Sequence, residues 1–167
     1  MGPLIVYIMG VAGSGKTTIG HKLSMATGMP FFDADDFHPP VNKEKMKVGQ
    51  ALNDDDRKDW LTRINELAKE HSQKAGALIA CSALKEKYRI VLSKGIKVPV
   101  HWILLKGDFG LIQERMKARK DHFMPASLLQ SQFDTLETPD NAMVMDIKNN
   151  PEEIVAEILR NLKLITG

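Results

Sequence analysis

Two short stretches of this 167-residue chain gather residue types that can act on phosphate: GVAGSGKTT over residues 10–18 and FFDADDFHPP over residues 31–40. The first has the spacing G-x-x-x-x-G-K-[ST]. Gly10, Gly13 and Gly15 let the backbone turn tightly and approach a ligand closely. The N–H groups of Gly10, Gly13, Ser14, Gly15, Lys16, Thr17 and Thr18 can then converge on phosphate oxygens. Lys16 adds a charge that reaches the outer phosphates, and Thr17 offers a hydroxyl to Mg2+. The second stretch crowds Asp33, Asp35, Asp36 and His38 together. Such a cluster can hold a metal, cap a helix or take a proton from a substrate. In an extended segment Asp33 and Asp35 point the same way. One can accept a hydroxyl proton while the other holds a Mg2+-bound water. Asp36 or Asp33 can instead cap a helix beginning near Pro39.

Cationic candidates follow. In NDDDRKDW, residues 53–60, Asn53 is a good N-cap and Asp54 to Asp56 suit the positive end of a first helical turn. Arg57 lies one turn before the apolar stripe Trp60, Leu61, Ile64, Leu67 and Ala68. An inward arginine there meets either a bound anion or a structural carboxylate. In CSALKEKYR, residues 81–89, Lys85 and Arg89 are spaced i,i+4. They suit an anionic substrate or form a solvated basic face. No acid ends the strand before them, so the usual Walker-B carboxylate is missing and Asp33 gains weight as the metal's partner. Arg115 and Arg119 are again i,i+4, just before KDHFMP leaves the helical pattern. They suit a lid that excludes water from phosphoryl transfer, or an exposed charged helix end. His38 and His122 have no neighbours that complete a metal ligand set and read as polar lining residues. The DFG at Asp108–Gly110 matches a protein-kinase signature, but the chain is too short for one and has no H-R-D loop. NKEK at residues 42–45 is not the N-K-x-D base reader of a GTPase.

Those side chains need a scaffold. LIVYIM (Leu4–Met9), Phe31–Phe32, ALIAC (Ala77–Cys81), VHWILL (Val100–Leu105) and AMVMD (Ala142–Asp146) read as strands, and the segments between have helical spacing. Continuous apolar strands suit a parallel sheet covered on both faces, so the chain predicts a three-layer α/β domain. Ligands bind such sheets beyond the carboxyl ends of the strands, which puts the cradle and the acids at one mouth. The first helix should run through Thr27 and stop at Gly28. The last should start at Pro151 under an Asn150 cap. Hydrophobic residues make up 43%, which predicts a packed globule. A net charge of +2 gives no argument for a nucleic-acid partner. The single Cys81 excludes intrachain disulfides and thiolate zinc clusters and fits a reducing cytoplasm. The Leu4–Met9 run is too short for a signal peptide or membrane span. With no repeat or linker, residues 1–167 are expected to form one domain.

The stretches MGVAGSGKTT, DADDFHPPVNKEKMKVGQALNDDDRKDWL, CSALKEKYR, LKGDF and RMKARKDHFMPASLLQSQFDTLETP together closely resemble the short bacterial-type gluconokinases, relatives of shikimate kinase. The resemblance runs from Met9 to about Pro139. The P-loop is widely shared; the FHPP-to-LNDDDR run and CSALK with its following YR are far more specific. The resemblance implies a P-loop NTPase fold like those of nucleoside monophosphate kinases and shikimate kinase. Its sheet would have five parallel strands, with a substrate-binding helical region near residues 37–75 and a lid near 119–135. It implies ATP- and Mg2+-dependent phosphorylation of the D-gluconate 6-hydroxyl, often by a homodimer. Carried over, Asp35 becomes the base or orienter of the hydroxyl, and Arg57, Lys85 and Arg89 become substrate contacts. Arg119 becomes the lid arginine on the phosphates, and Arg115 an ATP contact stacking on adenine. His122 and Gln132 take substrate or lid roles. The family's loop often reads GVSGSGKS; here Ala12 lacks the hydroxyl, while Thr17 keeps the one the metal needs. A kinase of another small hydroxy acid, such as shikimate, and a non-catalytic ATP-binding switch stay open as alternatives.

Overall fold

A computed structural model describes residues 2–118 and 125–166. The apolar runs form strands β1 (Ile5–Met9), β2 (Phe31–Asp33), β3 (Ala77–Ala80), β4 (Val100–Lys106) and β5 (Met143–Asp146). They make one five-stranded parallel sheet in the order β2-β3-β1-β4-β5. In β1, Val6 and Ile8 face one side and Ile5, Tyr7 and Met9 the other, and all are buried. Cover on both faces is why the strands show no polar alternation.

Helices α1 (Lys16–Thr27), α3 (Asp54–Ser72), α4 (Glu86–Ser93), α5 (Phe109–Lys117), α6 (Ala126–Thr135) and α7 (Pro151–Thr166) supply the two outer layers, and the short α2 (Pro40–Lys47) buries only Asn42. Ile19 and Leu23 of α1, Ile112 of α5, Leu129 of α6 and Ile158 of α7 share a core with Val6 and Ile8. Trp60 and Ile64 of α3 and Tyr88 and Leu92 of α4 share the other with Tyr7. Tyr7 stacks on Trp102 at 4.6 Å and donates its buried hydroxyl to the Leu92 carbonyl at 2.8 Å. The chain crosses from β1 to β2 at one edge and from β4 to β5 at the other. Connections therefore diverge beyond the carboxyl end of β1, where such sheets bind ligands.

The acidic stretch departs from the expected conformation. After β2 the chain enters a 3-10 turn (Ala34–Phe37), so Asp33 and Asp35 do not lie together on an extended segment. Asp33 caps that turn, its Oδ1 accepting from the Asp35 N–H at 3.0 Å. Asp36 does not cap α2, which begins at Pro40 behind Pro39 with no side-chain cap. A proline at the first helical position has no N–H to satisfy. The Asn53 cap of α3 is as expected, with Asp56 completing a capping box.

Helix α1 passes so near β2 that a Cβ on Gly20 would lie 2.0 Å from a Phe31 ring carbon. Gly20→Ala is expected to cost about 1–3 kcal/mol of stability. The measurement is a urea transition whose midpoint falls at unchanged slope.

Candidate active site

The loop between β1 and α1 is shaped by backbone that glycine alone adopts easily. Gly13 and Gly15 have φ of +77° and +99°, and a Cβ on Gly13 would lie 2.7 Å from Met116 Cγ. Helix α1 starts at Lys16, so its unpaired N–H groups face the same loop. The Lys16 ammonium donates to the Gly10 and Val11 carbonyls at 3.0 Å each. Thr17 Oγ1 donates to Asp33 Oδ2 at 3.1 Å, which joins the start of α1 to the end of β2. The Ala12 N–H donates to Gln132 Oε1 at 2.7 Å, which ties α6 to the loop. Ser14 is buried, and its Oγ has no hydrogen-bond partner among the described residues.

A cleft of about 370 Å³ opens beside this loop. It brings together Lys16, Asp35, His38, Arg57, Lys85 and Gln132, with Trp60, Ser82 and Leu84 in its walls. A second hollow of about 180 Å³ lies on the other side of the loop, lined by Gly13, Ser14, Gly15, Thr18, Arg115, Ile147, Asn149 and Pro151. Arg115 Nη2 donates to the Ile147 carbonyl at 2.6 Å, which holds the guanidinium along that hollow. Arg119 and His122 lie outside the described residues.

The acid side of the cleft rests on aromatic packing. Asp35 is exposed, whereas His38 is 6% exposed and stacks on Trp60 at 4.1 Å with 14° between the planes. Trp60 Nε1 donates to the Ala34 carbonyl at 2.7 Å. Burial pushes the His38 pKa down to about 4, helped by the charges of Arg57 and Lys43. His38 is therefore neutral at neutral pH.

The cationic side is a linked wall. Arg57 Nη1 donates to the Leu52 carbonyl at 2.9 Å and to the Tyr88 hydroxyl at 3.1 Å, and its guanidinium lies 5.3 Å from the Tyr88 ring centre. Asp54 accepts from Lys87 and Tyr88 and pairs with Lys85 at 3.5 Å. Hydrogen bonds from Lys87 and Tyr88 hold its carboxyl well below the usual carboxylate range. Asp54 is thus more than a first-turn charge, and Tyr88 is more than a packing residue. Sequence reasoning missed both roles, and it missed Asn42, which is fully buried between His38 and Asp56. An uncharged amide in the otherwise highly charged PVNKEKMK helix was the available signal.

Arg89 is not brought to this cleft. It is 6% exposed and donates to the Ala83 carbonyl at 2.7 Å and the Glu137 carbonyl at 2.8 Å. The i,i+4 argument fails because Lys85 is the extended N-cap of α4, not part of the helix. Ala83 has φ of +46°, and Arg89 braces this left-handed residue.

The sheet order, the G-x-x-x-x-G-K-T loop between β1 and α1, and a carboxylate and cations gathered beside the loop lysine define a P-loop kinase of small molecules. The family model described as shikimate kinase matches residues 12–163. The chain is 46% identical to a probable gluconokinase of Dictyostelium discoideum, over 96% of this chain and 86% of the relative. It is 41% identical to the thermoresistant gluconokinase of Escherichia coli (strain K12), over 95% and 93% respectively. The crystal structure of a gluconokinase from Sinorhizobium meliloti 1021 superimposes with a TM-score of 0.85 at 36% identity, covering 99% of this chain and 98% of that one. The chain belongs to the gluconokinase family, among the shikimate-kinase-like P-loop kinases.

Two measurements test these placements. Arg89→Leu leaves two carbonyls without their partner and is expected to cost about 2–4 kcal/mol in urea unfolding. Lys85→Ala, in a solvated ion pair, is expected to change stability by less than about 1 kcal/mol. For His38, the folded pKa lies below its ordinary 6.5. Between pH 6.5 and about 4 the unfolded chain binds a proton that the folded chain refuses, so stability rises with pH. The contribution is complete above 6.5 and is lost as pH falls through about 4. Over that window wild type should lose up to about 3 kcal/mol more stability than His38→Gln.

Proposed function

We propose that this protein transfers the γ-phosphoryl group of ATP to the 6-hydroxyl of D-gluconate, giving 6-phospho-D-gluconate and ADP. The observation that carries the reading is the cleft that sets Asp35 against Arg57 and Lys85 beside Lys16. A sugar acid has a carboxylate for the cations and a terminal hydroxyl for the acid. The gluconokinase names of full-length relatives support that choice.

In this reading the loop N–H groups and the start of α1 bind the phosphates. Lys16 turns from the Gly10 and Val11 carbonyls onto the outer phosphates. The hydroxyl oxygen of the substrate forms the new P–O bond while the bond to the β-phosphate oxygen breaks. The hydroxyl proton passes to Asp35, and ADP leaves with the bridging oxygen. Arg57, Lys85 and Gln132 orient the acceptor, and His38 lines the cleft beside it. Such positioning and charge balance are most of what phosphoryl transfer asks of a protein. The hollow beside Arg115 and Asn149 suits the adenine, with the guanidinium against its face. The family resemblance assigns the lid to residues 119–135, with a phosphate role for Arg119 and a substrate role for His122.

The Thr17 hydroxyl and the Asp33 carboxylate converge at 3.1 Å as hard oxygen donors, which suits Mg2+. Thr17 would hold it directly and Asp33 through a water. When bound it neutralises charge on the phosphates. Among the described residues no three His, Cys, Asp or Glu side chains gather as a metal cage. We also read the active form as a cytoplasmic homodimer. Among the described residues no helix is long and apolar enough to cross a membrane.

A coupled ADP-release assay with ATP and Mg2+ is expected to show turnover with gluconate and not with shikimate, glycerate or nucleoside monophosphates. Turnover with shikimate instead would keep the cradle and overturn the substrate. Asp35→Ala should lower kcat about 100- to 10,000-fold while ATP affinity is unchanged. Near-wild-type turnover in that variant would remove Asp35 from the role of base.

A further inference from the structure

A chain of polar contacts runs beneath the cleft from the start of α3 to Asp35. Asn42 is 0% exposed, and one atom of its side-chain amide lies 2.7 Å from the Asp56 carbonyl oxygen and 3.2 Å from His38 Nδ1. A carbonyl oxygen only accepts, so that amide atom is the nitrogen. Its two hydrogens point one to Asp56 and one to His38. Nδ1 therefore accepts, and the neutral ring carries its proton on Nε2. Nε2 is the ring nitrogen on the Asp35 side, 3.9 Å from Asp35 Oδ1. Stacking on Trp60 fixes the plane of the ring, and the Trp60 bond to the Ala34 carbonyl fixes Trp60. Asn42 Oδ1 is buried without a hydrogen-bond partner among the described residues. Stability is poorly served by half of a buried amide. The two donations of Asn42 are what its position achieves.

We propose that Asn42 and His38 are positioning residues for phosphoryl transfer: Asn42 locks the Nε2–H tautomer of His38, and that N–H holds the Asp35 carboxylate with its second oxygen aimed at the accepting hydroxyl. The proposal rests on the reading of Asp35 as base. A gap of 3.9 Å is not a hydrogen bond, and a turn of the exposed Asp35 side chain closes it. The charge state of the ring matters as well. Burial, with Arg57 and Lys43 nearby, keeps His38 neutral. A neutral donor orients a carboxylate, whereas an imidazolium would also make it a weaker base. Lys45 is held by Asp56 at 2.8 Å, so the charge under the amide is balanced within the same region.

The test uses the full chain labelled with 15N-histidine, with long-range 1H–15N spectra of the side chains near pH 7. The His38 signal is identified by its loss in His38→Gln. An unprotonated Nδ1 with Nε2–H is expected, and an Nδ1–H tautomer would overturn the proposal before any assay. In gluconate kinetics, His38→Gln keeps a donor near the place of Nε2 and His38→Asn does not. His38→Asn and Asn42→Leu should lose about 10- to 100-fold in kcat at unchanged ATP affinity, and His38→Gln should lose markedly less. Equal kcat in the Gln and Asn variants would overturn the positioning role, even if Asn42→Leu does not fold. Asp35→Ala separates the two ideas. If it retains turnover, the reading of the base fails; if it is inactive while the Gln and Asn variants are equal, only the positioning fails.

Discussion

A parallel sheet buried on both faces confines polar chemistry to the ends of its strands. The central strands β1 and β3 are committed to packing along their whole length, with Val6 and Ile8 on one side of β1 and Tyr7 and Met9 on the other. The carboxyl end of β1 is where the connections diverge, so backbone N–H groups can be left to face outward there. The phosphate cradle follows from that geometry, and the other functional groups are arranged around it. The acids arrive from the end of β2, the cationic wall from α3 and the segment after β3, and Gln132 from α6.

Charge is distributed so that neither sign dominates the cleft. Arg57 and Lys85 would repel each other and weaken the fold if nothing answered them. Asp54 and the Tyr88 hydroxyl answer them, with Asp54 taking Lys85 and Lys87 and Tyr88 taking Arg57. Across the cleft, His38 is kept uncharged by burial. The cleft lining combines the Asp35 carboxylate, the Arg57 and Lys85 cations and the neutral His38 and Trp60 rings. That combination complements a ligand that carries both an anionic group and a hydroxyl.

The strands, the cradle and the Asn53 cap were legible because each is local. Apolar runs, glycine spacing and cap chemistry all act within a few residues. The inward side of Arg57 was legible because a charge on an apolar stripe near a helix start is costly without a purpose, whereas Lys85 lines the cleft from an extended N-cap that its i,i+4 spacing did not give. The bracing role of Arg89 was not legible because its partners, the carbonyls of Ala83 and Glu137, belong to backbone whose course no spacing rule gives. The 3-10 turn after β2 was missed for a related reason. Asp33 caps it from within the acidic run, and Pro39 and Pro40 start the next helix without a side-chain cap. Asn42 was invisible because its worth depends on a histidine and a carbonyl brought to it by different elements.

Much of the cradle is already partnered, the buried Ser14 Oγ being an exception among the described residues. Lys16 rests on the Gly10 and Val11 carbonyls, Thr17 on Asp33, and the Ala12 N–H on Gln132. Half-buried groups such as the Lys16 ammonium and the Ala12 N–H would otherwise cost the fold. Ligand binding must then exchange contacts, so affinity reflects a difference between partners and not a sum of new bonds. Phosphate oxygens win that exchange because they carry charge, and charge-assisted bonds outweigh those to a neutral carbonyl or amide. Gln132 makes the exchange reach farther than the loop. Its helix is anchored to α5 by Phe133 against Phe109, with ring centres 5.7 Å apart. A change at the Ala12 N–H therefore reaches α6, whose Leu128, Ser131 and Thr135 also line the cleft.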